Sequence, residues 1–133
     1  MHEGIQSCTS RYSLDESVTR LEALIKEKGA RLFCVIDYSG DAKAAGLTMP
    51  PTMLLLFGNP KAGTPLMLET PSLALDLPLH LLIAESPEGN VVLSWNDPAW
   101  LQQRHGFSPS LLPNLAAAKL FAESLSTQPT PSH

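Results

Sequence analysis

The sequence predicts an α+β two-layer sandwich. A mixed, largely antiparallel sheet of four to five strands would pack against two long helices, with short extra helices between. Three observations carry this. Residues 13–29 form a capped, amphipathic helical stretch. Residues 32–38, 52–57 and 79–84 are apolar runs too short for core helices, and Pro, Gly or charged residues bound them. Pro87, Gly89 and Asn90 then turn the third run back into the alternating stretch 91–96, which makes a hairpin and so an antiparallel pair.

Residues 3–9 are a weak first strand. Ser13 and Glu16 have capping-box spacing, in which each side chain satisfies an orphan N–H of the first turn. Leu14, Val18, Leu21 and Ile25 follow on one helical face, widened by Leu24, and Gly29 supplies a left-handed cap. Leu32 to Tyr38 reads as a strand, which would make a split crossover with the first. Residues 39–46 read as a turn or short helix, stopped by Pro50-Pro51. Thr52 to Phe57 is a buried strand, and Asn59-Pro60 opens a short helix containing Lys61 to Leu68. Residues 71–77 connect to the strand Leu79–Ala84. Asp97-Pro98 opens a short helix that Gly106 ends. A last helix runs from Pro109 or Pro113 to Leu125, with Leu111, Leu115, Ala118, Ala122 and Leu125 facing inward. Several of the twelve prolines follow a capping residue, as at Asn59, Thr70, Asp97 and Ser108, where a missing N–H costs nothing.

The 133 residues make a single domain over 1–125, with a flexible tail at 126–133. At this size roughly two-thirds of the unfolded surface is buried, enough for one real core. The net charge is −4, and residues 67–133 hold two basic residues, Arg104 and Lys119, against six acidic ones. No basic stripe is available to release counterions from nucleic acid, and no polybasic segment to hold a membrane surface. No apolar run approaches a membrane span and the N-terminus lacks a signal-like apolar core, so a cytoplasmic location is expected. Cys8 and Cys34 then read as free, buried thiols.

No phosphate-cradling glycine motif, hydrolase elbow or zinc-binding histidine pair occurs, so neither a cofactor nor a metal is expected. The informative residues stand at segment ends. If those ends share one edge of the sheet, Asp37, Tyr38, Asn59, Asp76, Asn96 and Asp97 converge there. Two helix N-termini, at Pro60 and Pro98, would point to the same place, with Lys61 and Arg104 adding positive charge. Plain capping accounts for Asn59 and Asp97 equally well. His80 alternates with apolar neighbours, which suits a satisfied, half-buried imidazole, with ligand or base roles as the alternative. Trp95 belongs with the core, and Trp100 with a pocket cover or an interface. Met49, Met53 and Met67 are core fillers, or else the lining of an adaptable cavity.

The segments PPTMLLLFGNPKAGTPLM, ALDLPLHLLI and SWNDPAWLQQRHG resemble the domain of unknown function 302 family. The resemblance implies a small bacterial or archaeal α+β domain, dimeric, with no assigned reaction. It also implies, for many relatives, His after the acid of the second strand. This chain has Tyr38, a poor base at neutral pH.

Three functions follow as expectations. The first is binding or sensing of a small, partly apolar ligand near Asn59 and Asn96, involving Asp37, Tyr38, Lys61, Asp76, His80, Asp97 and Trp100. The second is an enzyme using Asp37, Asp76 or Asp97, with His80 or His105 as proton carrier. The third is a homodimeric interaction module joined through a sheet edge or the last helix.

Overall fold

The computed structural model describes residues 3–126. Five strands form one sheet in the order β1-β5-β4-β3-β2: β1 Ile5–Thr9, β2 Arg31–Asp37, β3 Thr52–Gly58, β4 Leu79–Glu85 and β5 Val91–Asn96. Every neighbouring pair is antiparallel, so the sheet is not mixed. The first two strands make no split crossover. They stand at opposite edges, and helix α1, Leu14–Glu27, carries the chain from one edge to the other.

Helix α1 begins where the capping box places it. Ser13 Oγ accepts from Glu16 N at 3.1 Å. Glu16 turns its own carboxylate toward Arg20, 3.8 Å away. Lys28 and Gly29 close the helix, Gly29 at φ +76°, a conformation L side chains rarely adopt. Val18, Leu21 and Ile25 are buried, as their spacing requires. Ser17 is buried beside them and shares a 2.7 Å hydrogen bond with the Ser10 hydroxyl, so its polar group is satisfied.

The second long helix is absent. Residues Pro109–Leu115 form a 3₁₀ segment, and only Ala117–Ser124, here α5, is α-helical. Pro113 explains the break: it lacks an N–H and disfavours helical geometry in the residue before it. The expected inner face divides accordingly. Ala118, Ala122 and Leu125 join the main core with Phe121, whose ring lies 5.7 Å from that of Phe57, while Leu111 and Leu115 join a separate cluster.

Strand pairing fixes which residues share a face. The rows Met53–Ile83–Leu93–Cys8 and Leu55–Leu81 lie on the side covered by α1 and α5, while Val35, beside Leu55 on the edge strand, stays exposed. The alternate rows Ile36–Leu54–Leu82–Ser94–Ser7, Thr52–Ala84–Val92–Thr9 and Cys34–Leu56–His80 lie on the other side. None of the residues in these three rows is buried. Cys34 is exposed, contrary to expectation, because β2 is an edge strand with a register shift between Leu32 and Cys34.

The remaining helices collect at one end of the sheet. These are α3, Pro60–Glu69, α4, Pro98–His105, and the 3₁₀ turn Pro71–Asp76. With the 109–115 segment they bury a second cluster of Leu66, Leu73, Leu101, Phe107 and Leu115. Helix α2, Tyr38–Ala44, lies at the opposite end and has no buried residue. Ser126 still pairs with Ser10 in an isolated bridge, and the rest of the expected tail, 127–133, lies outside the described residues.

Leu81 is fully buried between β3, β5 and α1. Leu81→Ala is expected to cost about 2–5 kcal/mol in urea unfolding, the range for a large-to-small core change.

Candidate functional site

The antiparallel register decides which of the polar strand ends meet. Phe57 pairs with Leu79, so the end of β3 and the start of β4 share one edge, and the end of β5 reaches the same edge. Asn59, Asp76, Asn96 and Asp97 therefore gather there, within the helical end cap. Asp37 and Tyr38 do not. Asp37 pairs with Met53, at the opposite end of the strands.

Asp37 has a local task in that place. It caps α2, accepting from Gly40 N at 2.9 Å and from Ser39 Oγ at 2.8 Å. These bonds, the Gly40 N–H first, hold its carboxyl below the ordinary carboxylate range. A Cβ on Gly40 would come within 2.6 Å of that carboxylate, so a larger residue there would push the capping side chain aside. Tyr38 is exposed on the first turn of α2.

At the end cap, Asn59 Oδ1 accepts from Lys61 N at 3.0 Å and Asp97 Oδ1 from Ala99 N at 3.0 Å. Both are ordinary N-caps. Lys61 is exposed on α3. Asn96 ends β5 and pairs with Ile5. Trp100 packs against the backbone of Gly4, where a Cβ would meet its ring at 2.6 Å. Trp100 therefore pins the start of β1 to α4, and Trp95 is core as expected.

Asp76 is the centre of the polar side chains. Its Oδ2 lies 2.5 Å from His105 Nε2, and Arg104 Nη1 reaches both carboxylate oxygens at 3.1 and 3.2 Å. The other imidazole nitrogen, Nδ1, is 2.8 Å from Ser72 Oγ. A carboxylate accepting from Nε2–H leaves Nδ1 to accept from the serine hydroxyl. The chain Ser72–His105–Asp76 thus ties the 3₁₀ turn to the end of α4. The His105 side chain is only 4% exposed and Asp76 16%, while Arg104 is 47% exposed. His80 stands nearby, half-buried on the open face of the sheet. Burial pushes its imidazole below the ordinary histidine value, and the nearby Asp76 carboxylate opposes that.

Beside this cluster, between the β2–β3 corner and α3, lies a half-open cleft of about 500 Å³. Phe33, Cys34 and Leu56 form its sheet side. Asn59, Ala62, Gly63 and Met67 of α3 form the opposite wall, and Leu77, Pro78 and Asn114 close the end. Asn114 Nδ2 donates to Ala62 O at 3.0 Å, holding the 109–115 segment against α3. Of the residues expected at a ligand site, Asn59 alone lines this cleft; Asp76, His80, Asn96 and Trp100 do not. Apart from Thr64 and Asn114, the missed lining residues are small or apolar, so they carry no chemical signal in the sequence. Met67 is there, whereas Met53 packs on the core and Met49 is exposed. Among the described residues, no group of three His, Cys, Asp or Glu side chains is placed to hold a metal ion.

Two predictions follow from the cluster. Asp76→Ala leaves a buried imidazole without its acceptor and is expected to cost about 1–3 kcal/mol. Arg104→Ala removes only a half-exposed partner and is expected to cost less than about 1 kcal/mol; chemical denaturation distinguishes the two. His80 binds its proton more weakly in the folded than in the unfolded chain. Stability is therefore full above the ordinary imidazole value and declines as pH falls through the folded one. Melting temperatures between neutral and mildly acidic pH should fall more steeply for the wild type than for His80→Gln.

The comparisons with known proteins agree with this architecture. The model of the family "Domain of unknown function DUF302" matches residues 6–124, from β1 to the end of α5. A protein named fluoride-specific ion channel FluC 1, from Brucella suis, is 44% identical over 107 residues, which are 80% of this chain and 42% of that one. Its namesake from Brucella abortus is 44% identical over 107 residues and 40% of its length. The chain thus spans about two-fifths of the curated relatives it matches. The crystal structure of an uncharacterised conserved DUF302 protein from Bacillus stearothermophilus aligns with a TM-score of 0.77 at 20% identity, over 93% of this chain and 97% of that one, and shows the same fold. With the family model running through all five strands and both helices of the covered face, the chain belongs to the DUF302 family of domains of unknown function.

Proposed function

We propose that this domain binds a small, mainly apolar molecule in the cleft between the β2–β3 corner and α3. The observation that carries the reading is the cleft itself. Its volume falls within the roughly 300–1,000 Å³ of small-molecule sites, and apolar walls surround a few polar groups, Asn59, Thr64 and Asn114. The wall formed by α3 is low because Ala62 and Gly63 stand where larger residues would fill the space. Helical glycine is unfavourable by roughly 0.5–1 kcal/mol relative to alanine, so its use here costs stability and gains room.

The Brucella relatives suit a sensing form of this reading. The stretch similar to this chain is under half of each protein, so in them a domain of this kind is joined to a larger remainder. Fluoride conduction is not carried over to this chain. No helix among the described residues is long and apolar enough to cross a membrane.

A second reading rests on the Ser72–His105–Asp76 chain, which has the order of a nucleophile, a base and an orienting acid. Neither His105 nor Asp76 lines the cleft, and Asp76 is engaged by Arg104 as well. A structural tie accounts for these bonds without a substrate. Incubation with a fluorophosphonate is therefore expected to leave Ser72 unlabelled. Labelling abolished by His105→Gln would establish the enzymatic reading instead.

For the cleft, native and denaturing mass spectrometry of the purified protein should reveal a small retained mass that is lost on unfolding. Gly63→Met provides a second check. A Cβ at Gly63 would make only ordinary contacts, 3.8 Å from Leu77 and 3.9 Å from Met67, so the longer side chain can occupy the cleft. Binding of anilinonaphthalene sulfonate, followed by fluorescence, should weaken by about tenfold or more, with an unchanged or higher melting temperature. Equal dye affinity in the folded variant would remove the cleft from consideration.

A further inference from the structure

The open face of the sheet is an unpartnered apolar surface. Its central row runs Ile36–Leu54–Leu82, and Leu56, Ala84 and Val92 flank it. Helices α1 and α5 both lie on the other side. The remaining helices cluster at the ends of the strands, and among the described residues none of the open-face positions reaches full burial. Ile5, at the margin of this face, is 43% exposed. Antiparallel sheets that leave one face to water alternate apolar and polar residues; here β3 and β4 are apolar on both sides, while Ser7, Thr9, Thr52, His80 and Ser94 ring the apolar centre of the open face. Contiguous apolar patches on a surface mark interaction sites.

We infer that a second copy of this chain covers the open face, stacking sheet against sheet about a two-fold axis. Size supports this. Strands of five to seven residues, five abreast, make a face of about 24 Å by 20 Å at the usual spacings. Two such faces bury roughly 1,000 Å², the lower bound for a specific interface. Charge supports it too. The chain carries −4, yet the three open rows contain no Asp, Glu, Lys or Arg. Arg31, paired with Gly58 at the β2 margin, is the single charge on that side among the described strand residues, too little to hold nucleic acid or an acidic membrane. A copy related by symmetry places no like charges in opposition, which is what a self-complementary interface requires. The two sheets would interdigitate about 10 Å apart, as in a β-sandwich.

The cleft gives a third argument. Cys34 and Leu56 line it and also belong to the open face, so the cleft opens onto the same surface. A partner seated on the face supplies the wall that the isolated chain lacks. This interface differs from a sheet edge, since the β2 edge is bulged, and from α5, which turns Lys119 and Leu120 to solvent.

Light scattering after size exclusion at micromolar concentration should give twice the 14.4 kDa of one chain. Leu82→Glu places a charge at the centre of the face and should yield a folded monomer by circular dichroism, with dimer dissociation raised by at least about a hundredfold. Ser94→Lys, at a position already polar and partly exposed, should do the same, and it decides the matter if Leu82→Glu fails to fold. Leu120→Glu on the outer side of α5 should remain dimeric. A monomeric wild type overturns the inference, and so does a dimer that persists in folded Ser94→Lys. The readout is mass without ligand, so the dimer and the cleft fail independently.

Discussion

The middle strands of the sheet are apolar on both faces, and the helices able to lie along it cover one of them. That constraint shapes the molecule. A helix of 14 residues is about 21 Å long, close to the width of five strands, so α1 spans the sheet as it carries the chain from edge to edge. Placing β1 and β2 at opposite edges follows from that crossing. The remaining width is covered by α5, whose small Ala118 and Ala122 let it approach β4 and β5 while Phe121 reaches Phe57. A third layer would need another helix of similar length. The chain has none, because Pro113 divides its last segment and short loops hold the other helices at the strand ends.

The end cap is the counterpart of that arrangement. Helices of eight to ten residues are marginal in isolation and depend on packing against their neighbours, and each here starts at a capped proline that turns it away from its strand. Their shared cluster is small, so polar contacts close its rim. Asp76 joins the 3₁₀ turn to α4, and Glu69 on α3 receives the backbone N–H and hydroxyl of Ser108. Arg104 offsets the cost of bringing Asp76 partly out of water. The cleft arises where this assembly meets the sheet with small residues on the α3 side. Cap and cleft are thus products of the same short helices.

Local rules made much of this legible in the sequence. Capping residues and prolines located α1, α3 and α4 because each signal acts within one turn. Alternation and the Pro87–Asn90 turn located β4 and β5, and His80 among apolar neighbours read as half-buried. The family resemblance rested on continuous segments and agrees with the match over residues 6–124. What the sequence did not disclose depends on register and relative placement. Asp37 is as polar as Asp76, and only the antiparallel pairing sends it to the far end. Ser72 and His105 are 33 residues apart, with no pattern that announces their contact. The cleft is an absence of side-chain volume at Ala62 and Gly63, and an absence leaves no motif. Composition also treats the two sheet faces alike, so the open one is visible only once the helices are placed.

Cys34 and Leu56 link the cleft to the open face, and this has a thermodynamic consequence for the proposed dimer. A molecule held where the cleft meets that face touches both copies. Anything that binds the paired state better than the single chain shifts the equilibrium toward pairing, and pairing raises affinity for the molecule by the same factor. The reciprocity needs no conformational change within the domain, only a wall that one copy lacks and the other provides. Filling the cleft from the α3 side acts on ligand affinity first and on dimerisation only through ligand. Charging the sheet face acts on both. A change in association on filling the cleft is what a sensing role would require, and in the proposed dimer Cys34 and Leu56, shared between cleft and face, would be the link.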